Sequence, residues 1–331
     1  MVEALGEVTL KSGERVHALA VRGPDDTWRP RLERLLAHKG EPWNWQNSAL
    51  LTHDTGCDAW FYVLHRDGLP FAHQMTVEVG GVGLFGHVWT EPADRGQGAA
   101  GALMRAQMDH FRNRRGRCLI LSTTHDSAAW HLYAKHGFTS IEPGSGTMTW
   151  TREPFADFAE GYLTARSEPF IENLGWVHWP ACPVLFGSVN PGIVRCAPLR
   201  LFGRKTSEGE LLPVIHRQAL GLPGATVKVL RLSNHAVAGL AAAGEDPLAP
   251  DATCVDVFGH PVWTDPLHDL FARIIAPVSG RCTAYADPAQ TGKIALLQRH
   301  GFHQAAHWPE RLAAAAAAQT RSDLLMFERR Q

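Results

Sequence analysis

The second half of the chain repeats the first, and this repeat restricts the possible folds more than any other feature. Residues 82–92 read VGLFGHVWTEP, and residues 255–266 read VDVFGHPVWTDP. Gly-Arg-Cys recurs at 116–118 and 280–282, and His-Gly-Phe at 136–138 and 300–302, in both cases 164 positions apart. Chance does not readily produce three matches in order, so we predict two copies of one domain in tandem.

Length and composition agree with two globular domains. The chain has 331 residues, more than one ordinary domain needs, with 45% apolar and 20% charged residues. The formal charge of -1 and the pI near 7.0 give no electrostatic footprint for nucleic acid or a membrane surface, so we expect neither partner. Composition suggests disorder only for the alanine run at 313–318.

Six cysteines show no Cys-x-x-Cys pair and no regular spacing. Because the sequence has neither a signal peptide nor an apolar run of about 18 residues, it predicts a reduced, cytoplasmic compartment. Cys118 and Cys282 lie in apolar strand contexts and are predicted to be buried thiols. The 18 histidines include no pair at helical spacing beside a third ligand, so no metal is expected.

Apolar patterns in the first copy alternate between strand and helix periods. Glycine turns at Asp67-Gly68 and Gly80-Gly81 link three strands into an antiparallel meander. The predicted elements, in order, are strands at 59–65, 72–79 and 82–90, a helix at 100–112, a strand at 118–122, a helix at 127–135 and a strand at 148–152. The predicted fold class is α/β (α+β), with a mixed, mostly antiparallel sheet flanked by helices in each copy.

A glycine-rich loop follows the strand at 82–90. Residues 95–101 read RGQGAAG, and only Arg95 and Gln97 carry bulky side chains, so the backbone can approach a ligand and turn its N–H groups inward. The helix that begins near Ala99 or Ala100 adds free N–H groups and its positive dipole end, and Arg95 adds a charge. These features favour a pyrophosphate over a monophosphate.

Two familiar glycine loops are alternatives to this interpretation. There is no Gly-Lys-Ser/Thr ending, which excludes a Walker-type loop. Gly96-x-Gly98-x-x-Gly101 matches the dinucleotide pattern in letters, but no acidic ribose partner is obvious about twenty residues on. His87 and Trp89 in the preceding strand and the basic helix that follows also argue against it, and NAD binding stays as an alternative.

Residues 95–100, RGQGAA, preceded by Thr90-Glu91-Pro92, resemble the acyl-CoA pyrophosphate loop of the GNAT superfamily of N-acyltransferases. Residues 129–138, AWHLYAKHGF, resemble the helix-turn that forms the second signature of that superfamily. The resemblance implies two tandem GNAT-like domains. It also implies an acyltransferase that uses an acyl-CoA, by default acetyl-CoA, and a primary amine that attacks the thioester directly in a ternary complex.

The resemblance also implies the donor contacts. The pantetheine arm would pair with the backbone of Val88, Trp89 and Thr90 like an extra strand. Asp126 lies where many members have a cofactor-binding Asn, and a carboxylate suits that contact less well. The residues expected at the pyrophosphate are Arg95, Gly96, Gln97, Gly98, Ala99 and Ala100.

Tyr133 lies at the position where the family often carries the tyrosine that protonates the leaving thiolate. A phenol with a pKa near ~10 is matched to a thiol. The alternative for Tyr133 is a place in the helix–sheet core.

The general base is left open by the sequence. His87 lies in the strand beside the expected thioester, although His260 at the equivalent place of the second copy suggests a structural role. Glu78 and His73 lie on the neighbouring strand at alternating positions that could point into the acceptor cleft. The candidates are His87, Glu78, His73 and the pair His125 and Asp126. Tryptophans such as Trp43 and Trp45 either line an acceptor pocket or pack in the core.

The second copy has lost the features of a donor site. Ten fewer residues separate Trp263 from Gly280 than Trp89 from Gly116, a loss that removes the glycine loop, and Leu297 replaces Tyr133. We therefore predict an active domain at 1–155 and a degenerate one at 166–331, joined by a linker around 153–169.

A small-molecule amine is the expected acceptor, and the chain is expected to be a monomer or homodimer. A second hypothesis is a regulatory or scaffolding protein that binds CoA without turnover. The basic cluster at 112–117 is either a solvated helix end or a rim for the 3′-phosphate of CoA.

Overall fold

The computed structural model describes residues 1–246, 248–313 and 321–330. It shows two compact units, Met1–Arg152 and Glu153–Gln331. Each contains one large, mostly antiparallel sheet flanked by helices, which confirms the predicted fold class. Residues 314–318 of the alanine run lie outside the described residues.

The sheet of the first unit has eight strands in the order β1-β2-β3-β4-β5-β6-β8-β7, and only β5 and β6 run parallel. The strands are β1 (Val2–Thr9), β2 (Arg15–Arg22), β3 (Asp58–Arg66), β4 (Leu69–Val79), β5 (Val82–Thr90), β6 (Cys118–Ser122), β7 (Thr139–Ser140) and β8 (Thr147–Thr151). The helices are α1 (Arg29–Leu36), α2 (Trp43–Thr52), α3 (Ala99–Asn113) and α4 (Ala128–Lys135).

Helices cover both faces of this sheet, which explains why β3 and β4 are buried along nearly their whole length. Successive side chains of a strand point to opposite faces. Trp60 and Tyr62 of β3 pack with Leu103 of α3 on one face. On the other face Met75 of β4 meets Gln46 of α2.

The pairing of β5 changes halfway along the strand. β5 pairs with β6 only from Val82 to Leu84. Its register with β4 then shifts, because His73 faces Trp89 while Met75 faces Gly86, so that His87 and Val88 together stand opposite one residue. His87 has a left-handed φ of 54°. This is a β-bulge, and it lies where β5 and β6 diverge.

The large sheet of the second unit has the order β16-β17-β15-β14-β13-β12-β9, with β14 and β15 parallel. The strands are β9 (Phe170–Asn173), β10 (Val194–Cys196), β11 (Leu201–Phe202), β12 (Thr226–Arg231), β13 (Val237–Glu245), β14 (Thr253–Gly259), β15 (Arg281–Ala286), β16 (His303–Ala313) and β17 (Arg321–Arg330). The helices are α5 (Phe155–Leu163), α6 (Cys182–Gly187), α7 (Glu208–Ala219), α8 (Thr264–Ile275) and α9 (Thr291–Arg299).

The two large sheets have the same strand order when β14 is matched with β5 and β15 with β6, and β1 is the strand left over. The second unit differs at the equivalent of the glycine loop. β14 pairs with β13 without a register shift, and one 3-10 turn, Pro261–Trp263, leads directly into α8. The described segment 253–275 therefore has neither the bulge nor the loop.

A helix, α5, occupies much of the segment expected to be a linker. Phe158, Ala159, Tyr162 and Leu163 form its buried face. Their i, i+4 spacing is that of an amphipathic helix, so these residues form part of the second unit's core rather than an irregular connection.

An ion-pair cluster joins β9 to β12 in the second unit. Glu172 accepts hydrogen bonds from Arg231 at 2.8 and 3.0 Å and contacts His178 Nε2 at 2.8 Å. The hydrogen bonds from Arg231 are the main cause that lowers the pKa of Glu172 to about 2.

All six cysteines are buried and none forms a disulfide. Burial raises the pKa of the Cys118 and Cys282 thiols, which confirms them as buried thiols. Across residues 1–246, 248–313 and 321–330 there is no helix with the length and apolar character needed to span a membrane. The same residues contain no group of three or more His, Cys, Asp or Glu side chains able to hold a metal ion.

Candidate active site

The glycine loop ends in the N-terminus of α3. Gly98 is the N-cap residue, with a left-handed φ of 81°, and Gly96 has a φ of 80°. Ala102 N–H donates to Gly98 O at 3.0 Å, so the N–H groups of residues 99–101 have no acceptor within the helix. Together with the positive end of the helix dipole, these N–H groups can bind an anion.

Two residues that the sequence did not single out hold this loop. The buried Gln74 of β4 donates through Nε2 to Ala100 O at 2.7 Å. Lys11, in the turn between β1 and β2, donates its backbone N–H to Gln97 O at 3.0 Å. The Lys11 side chain also passes beside Gly98, because a Cβ at Gly98 would lie 3.7 Å from Lys11 Cγ. The loop therefore has a second cation beside it.

Arg95 lies against the end of β5. Its Nε donates to Thr90 O at 3.0 Å, and its guanidinium carbon lies 4.6 Å from the centre of the Trp89 ring. Asp94, one residue before, accepts from Arg66 at 2.8 Å. The charge of Arg95 is thus positioned between the loop and Trp89.

Tyr133 lies on the α3/α4 face of the sheet, beside the divergence of β5 and β6. Its ring meets Phe85 edge-on at 5.5 Å between ring centroids, and Val88 packs against the same apolar cluster. Only 7% of Tyr133 is exposed, and burial raises the pKa of its phenol to about 12. The phenol therefore keeps its proton at neutral pH, as a proton donor must.

Polar and aromatic side chains collect on the other face of β4 and β5. His73 and Trp89 are direct cross-strand neighbours, and the His38 ring stacks on Trp89 at 3.7 Å between centroids. His73 Nδ1 lies 2.9 Å from His87 O, and Gln46 Nε2 lies 3.8 Å from Met75 Sδ, two residues along β4 from His73. The polar cluster is defined as His38, Gln46, His73, His87 and Trp89. Trp43 meets His87 edge-on at 5.5 Å.

The two inner histidines of the polar cluster are neutral. Burial is the main cause that lowers the pKa of His73 to about 4; the hydrogen bond to the His87 carbonyl opposes this shift, and nearby Lys39 and His38 contribute to it. Burial also lowers the pKa of His87 well below its ordinary value, with contributions from Lys39, His73 and His38. Both rings are therefore uncharged at physiological pH and can accept a hydrogen bond.

Glu78 does not share a cleft with His73. Five positions separate them, an odd number, so in a regular strand they point to opposite faces. Glu78 is 1% exposed and accepts from Arg114 at 2.9 Å, on the α3 side of the sheet. The expectation that both side chains point into one acceptor cleft is wrong, because the Arg114 ion pair holds Glu78 on the other side.

Asp126 lies in the turn before α4 with a left-handed φ of 60°. Its exposed carboxylate contacts His131 Nε2 at 2.9 Å. The neighbouring His125 instead places its ring edge-on to Trp130 at 5.3 Å. The candidate pair of His125 with Asp126 is therefore not formed, and Asp126 pairs with His131.

The basic cluster at 112–117 lies at the opposite end of α3 from the loop, about 20 Å away along the helix axis. Arg114 points inward to Glu78. Arg112 contacts Asp109 at 3.2 Å and lies over Trp150. These positions favour a helix end over a rim for the phosphates of a bound donor.

The family model that matches the chain covers residues of the first unit. Residues 58–140 match the family model described as Acetyltransferase (GNAT) domain, about a quarter of the chain. Among curated proteins no match was found.

Solved structures that resemble the chain include the Salmonella typhimurium protein yncA with its cofactor acetyl-CoA. It is 18% identical, the match covers 50% of this chain and 94% of that one, and the TM-score is 0.38. The ribosomal-protein-alanine N-acetyltransferase of Brucella melitensis is 15% identical over 49% and 99%, with a TM-score of 0.36. An N-acetyltransferase of Staphylococcus aureus Mu50 is 13% identical over 50% and 99%, with a TM-score of 0.38.

The matched residues run from β3 to β7 and include the bulge, the glycine loop and Tyr133. Residues 58–140 of the first unit thus match an acetyltransferase (GNAT) domain.

Proposed function

We propose that the first unit transfers an acyl group, by default acetyl, from a CoA thioester to a primary amine of a small molecule. The observation that supports this most is the loop at the start of α3, whose free N–H groups suit a pyrophosphate. It follows a strand that separates from β6 after Leu84. That separation leaves an edge of β5 along which a pantetheine arm can pair.

The amine attacks the donor directly in a ternary complex. Its nitrogen lone pair forms a bond to the thioester carbonyl carbon, and the C–S bond breaks. The sulfur takes a proton from Tyr133, and the proton lost by the nitrogen restores the phenol, so the products are an amide and a free thiol. The buried cysteines support this route, because a thiol with a raised pKa is a poor nucleophile.

The second unit would hold no acyl-CoA, because it has neither the loop nor the phenol. Leu297, which stands in the place of Tyr133, is fully buried. The proposal also includes a cytoplasmic monomer or homodimer that uses no metal and binds neither nucleic acid nor membrane.

Isothermal titration with acetyl-CoA tests the proposal. We expect one site per chain with a micromolar Kd, and loss of binding in the double variant Arg95→Glu, Gly98→Trp. Arg112→Glu is the matched control, since it reverses a charge at the other end of α3. No binding by the wild-type chain contradicts the donor assignment, and two sites per chain contradict the degenerate second unit.

Turnover separates an enzyme from a regulatory CoA-binding protein. Release of free CoA in the presence of a panel of amines is expected for the enzyme. Binding without release by any amine favours the regulatory alternative.

A further inference from the structure

Within this proposed reaction, we infer that the polar cluster binds an acceptor whose amino group is uncharged at neutral pH and which also carries a carboxamide. An aromatic amino-amide has this chemistry. His73 accepts a hydrogen bond from the amino N–H through Nε2, and the cluster excludes alkylammonium acceptors. The inference rests on the proposed function and concerns binding of the amine before attack.

The hydrogen bond of His73 fixes the tautomer of its ring. Its Nδ1 lies 2.9 Å from the carbonyl oxygen of His87. A carbonyl oxygen only accepts, so Nδ1 carries the proton and donates it. In a neutral imidazole the other nitrogen is then an acceptor. The bulge thus fixes His73 with the lone pair of Nε2 available.

The polar cluster contains buried polar atoms that have no hydrogen-bond partner among the described residues. These atoms are His73 Nε2, His87 Nδ1, Trp89 Nε1 and Gln46 Oε1. His73 is 0% and Gln46 1% exposed. A buried polar atom without a partner costs ~1–3 kcal/mol, and such atoms are rare in folded proteins. Four in one cluster point to a ligand that pairs with them.

These unpartnered atoms determine which donors and acceptors a ligand must carry. Trp89 Nε1 is a donor only, so it needs a carbonyl-type acceptor in the ligand. His73 Nε2 and Gln46 Oε1 are acceptors and need N–H groups. His73 and Trp89 stand opposite each other across β4 and β5, so their Cβ atoms are about 5 Å apart. A small molecule with an amino group and a carboxamide supplies partners for these three of the four atoms.

The charges around His73 and His87 do not favour a positively charged amine. Lys39 and His38 both act to lower the pKa of His73 and of His87, and His73 acts on His87 in the same direction, so the charges that act on these rings are positive. Of the nearby acids, Glu78 is held by Arg114 on the other face. A buried ammonium without an anionic partner is costly. An imidazole with a pKa of about 4 also cannot readily deprotonate an alkylammonium.

A matched pair of acceptors tests the selectivity. 4-Aminobenzamide has an aromatic amine that is largely unprotonated at neutral pH, whereas 4-(aminomethyl)benzamide differs by one methylene and is largely protonated. With saturating acetyl-CoA, kcat/KM measured by thiol release is expected to be at least about tenfold higher for the aromatic amine. Equal rates, or a preference for the alkyl amine, overturn the inference.

His73→Asn tests the role of Nε2. The asparagine amide can still donate to His87 O but cannot place a lone pair where Nε2 lies. We expect KM for 4-aminobenzamide to rise about tenfold, with kcat and the Kd of acetyl-CoA little changed. His17→Asn, at an exposed histidine of β2, is the control. A change in acetyl-CoA binding as large as the change in KM would indicate a structural role and overturn the inference.

Nitrogen NMR of ¹⁵N-histidine-labelled protein gives a readout that does not depend on turnover. His73 should show the neutral form protonated at Nδ1, and its Nε2 resonance should move when 4-aminobenzamide is added. An unchanged resonance overturns the inference. Failure of acetyl-CoA to bind contradicts only the proposed function, since this titration uses the amine alone.

Discussion

Tyr133 combines a buried ring with a phenol at the divergence of two strands, and the two properties can be separated by mutation. Tyr133→Phe keeps the contacts with Phe85 and the core but removes the acidic proton. We expect kcat to fall ~10²–10⁴-fold with an unchanged Kd for acetyl-CoA. Steady-state kinetics and titration measure the two quantities.

Tyr162→Phe, at another buried tyrosine, should keep full activity and serves as the control. A Tyr133→Phe variant that retains wild-type kcat would make Tyr133 a core residue only.

Lys11 is expected to add to donor affinity through its charge. Its side chain lies along Gly98, so removal of the ammonium in Lys11→Ala should weaken acetyl-CoA binding about fivefold at low salt, with a smaller effect at high salt. Titration at two ionic strengths checks this. Arg112→Ala, at the far end of α3, should leave the Kd unchanged, and an equal loss there would argue against a local role for Lys11.

Some residues of the site could be predicted from the local sequence, and others are brought there by the fold. Arg95 and Gly98 were predicted, because a glycine loop between strand and helix is a local pattern. Lys11 and Gln74 were missed because strand pairing brings them to the site, and Gln46 because α2 packs on the sheet; nothing in their own sequence neighbourhood indicates it. The only signal was weak: Gln74 is one of four polar residues, with His73, Thr76 and Glu78, in a strand whose other residues are apolar.

Strand and helix bounds followed the sequence closely where the apolar pattern was strong. The strand predicted at 82–90 is observed at Val82–Thr90, and the helix predicted at 100–112 at Ala99–Asn113. The hairpin of β1 and β2 was not predicted, because β1 is largely exposed and shows little apolar alternation. The bulge was also missed, since a left-handed histidine leaves no pattern in the letters.

The N-terminus of α3 depends on the backbone of Gly98. Its φ of 81° suits glycine, and in Gly98→Ala the left-handed conformation should cost about 1–2 kcal/mol and misplace the helix N–H groups. We expect a lower free energy of unfolding in urea and weaker acetyl-CoA binding.

Gly161→Ala is the contrasting control, because Gly161 lies in α5 and a Cβ added there meets no atom outside its own helix within 4 Å. That change should raise the free energy of unfolding by ~0.5–1 kcal/mol. If both variants change the free energy of unfolding in the same direction, the left-handed conformation of Gly98 is not what stabilises the loop.

The stability contributed by the ion pair between Glu172 of β9 and Arg231 of β12 should depend on pH. Glu172 has a pKa lowered to about 2 from 4.5, so its contribution is complete above pH 4.5 and is lost as the pH falls towards 2. Because a third of the side chain is exposed, we expect Glu172→Gln to cost only about 1 kcal/mol at pH 6. Urea unfolding at several pH values should show the difference disappearing in acid; a constant difference would contradict the assignment.

At the scale of the whole molecule, the sequence repeat corresponds to two sheets with the same strand order. The lost ten residues correspond to a direct turn into α8. The division into an active and a degenerate domain stays a prediction, which the number of acetyl-CoA sites per chain would decide. Sequence offsets could predict the repeat because the matching segments fall on core strands and on the turn that ends a helix.

Neutral buried histidines should make the whole chain sensitive to acid. His73 has a pKa of about 4, and burial also lowers the pKa of His87, His110 and His178. The unfolded chain takes up protons near pH 6.5 and these folded sites do not, so the free energy of unfolding should fall as the pH drops from 6.5 to 4. His73→Asn should reduce that slope in urea unfolding, and an unaltered slope would mean that His73 is protonated in the folded state.

The bulge in β5 changes the phase of the strand. Before it, Phe85 faces the side of Tyr133; in a regular strand Trp89, four positions later, would face that side too. Because of the one extra residue, Val88 faces the Tyr133 side and Trp89 faces His38 on the other side. Deletion of a single residue between Gly86 and Val88 would therefore give a regular strand with Val88 and Trp89 on their present sides. Straightening the bulge with all its residues kept would instead bring the indole against the phenol and remove it from the polar cluster.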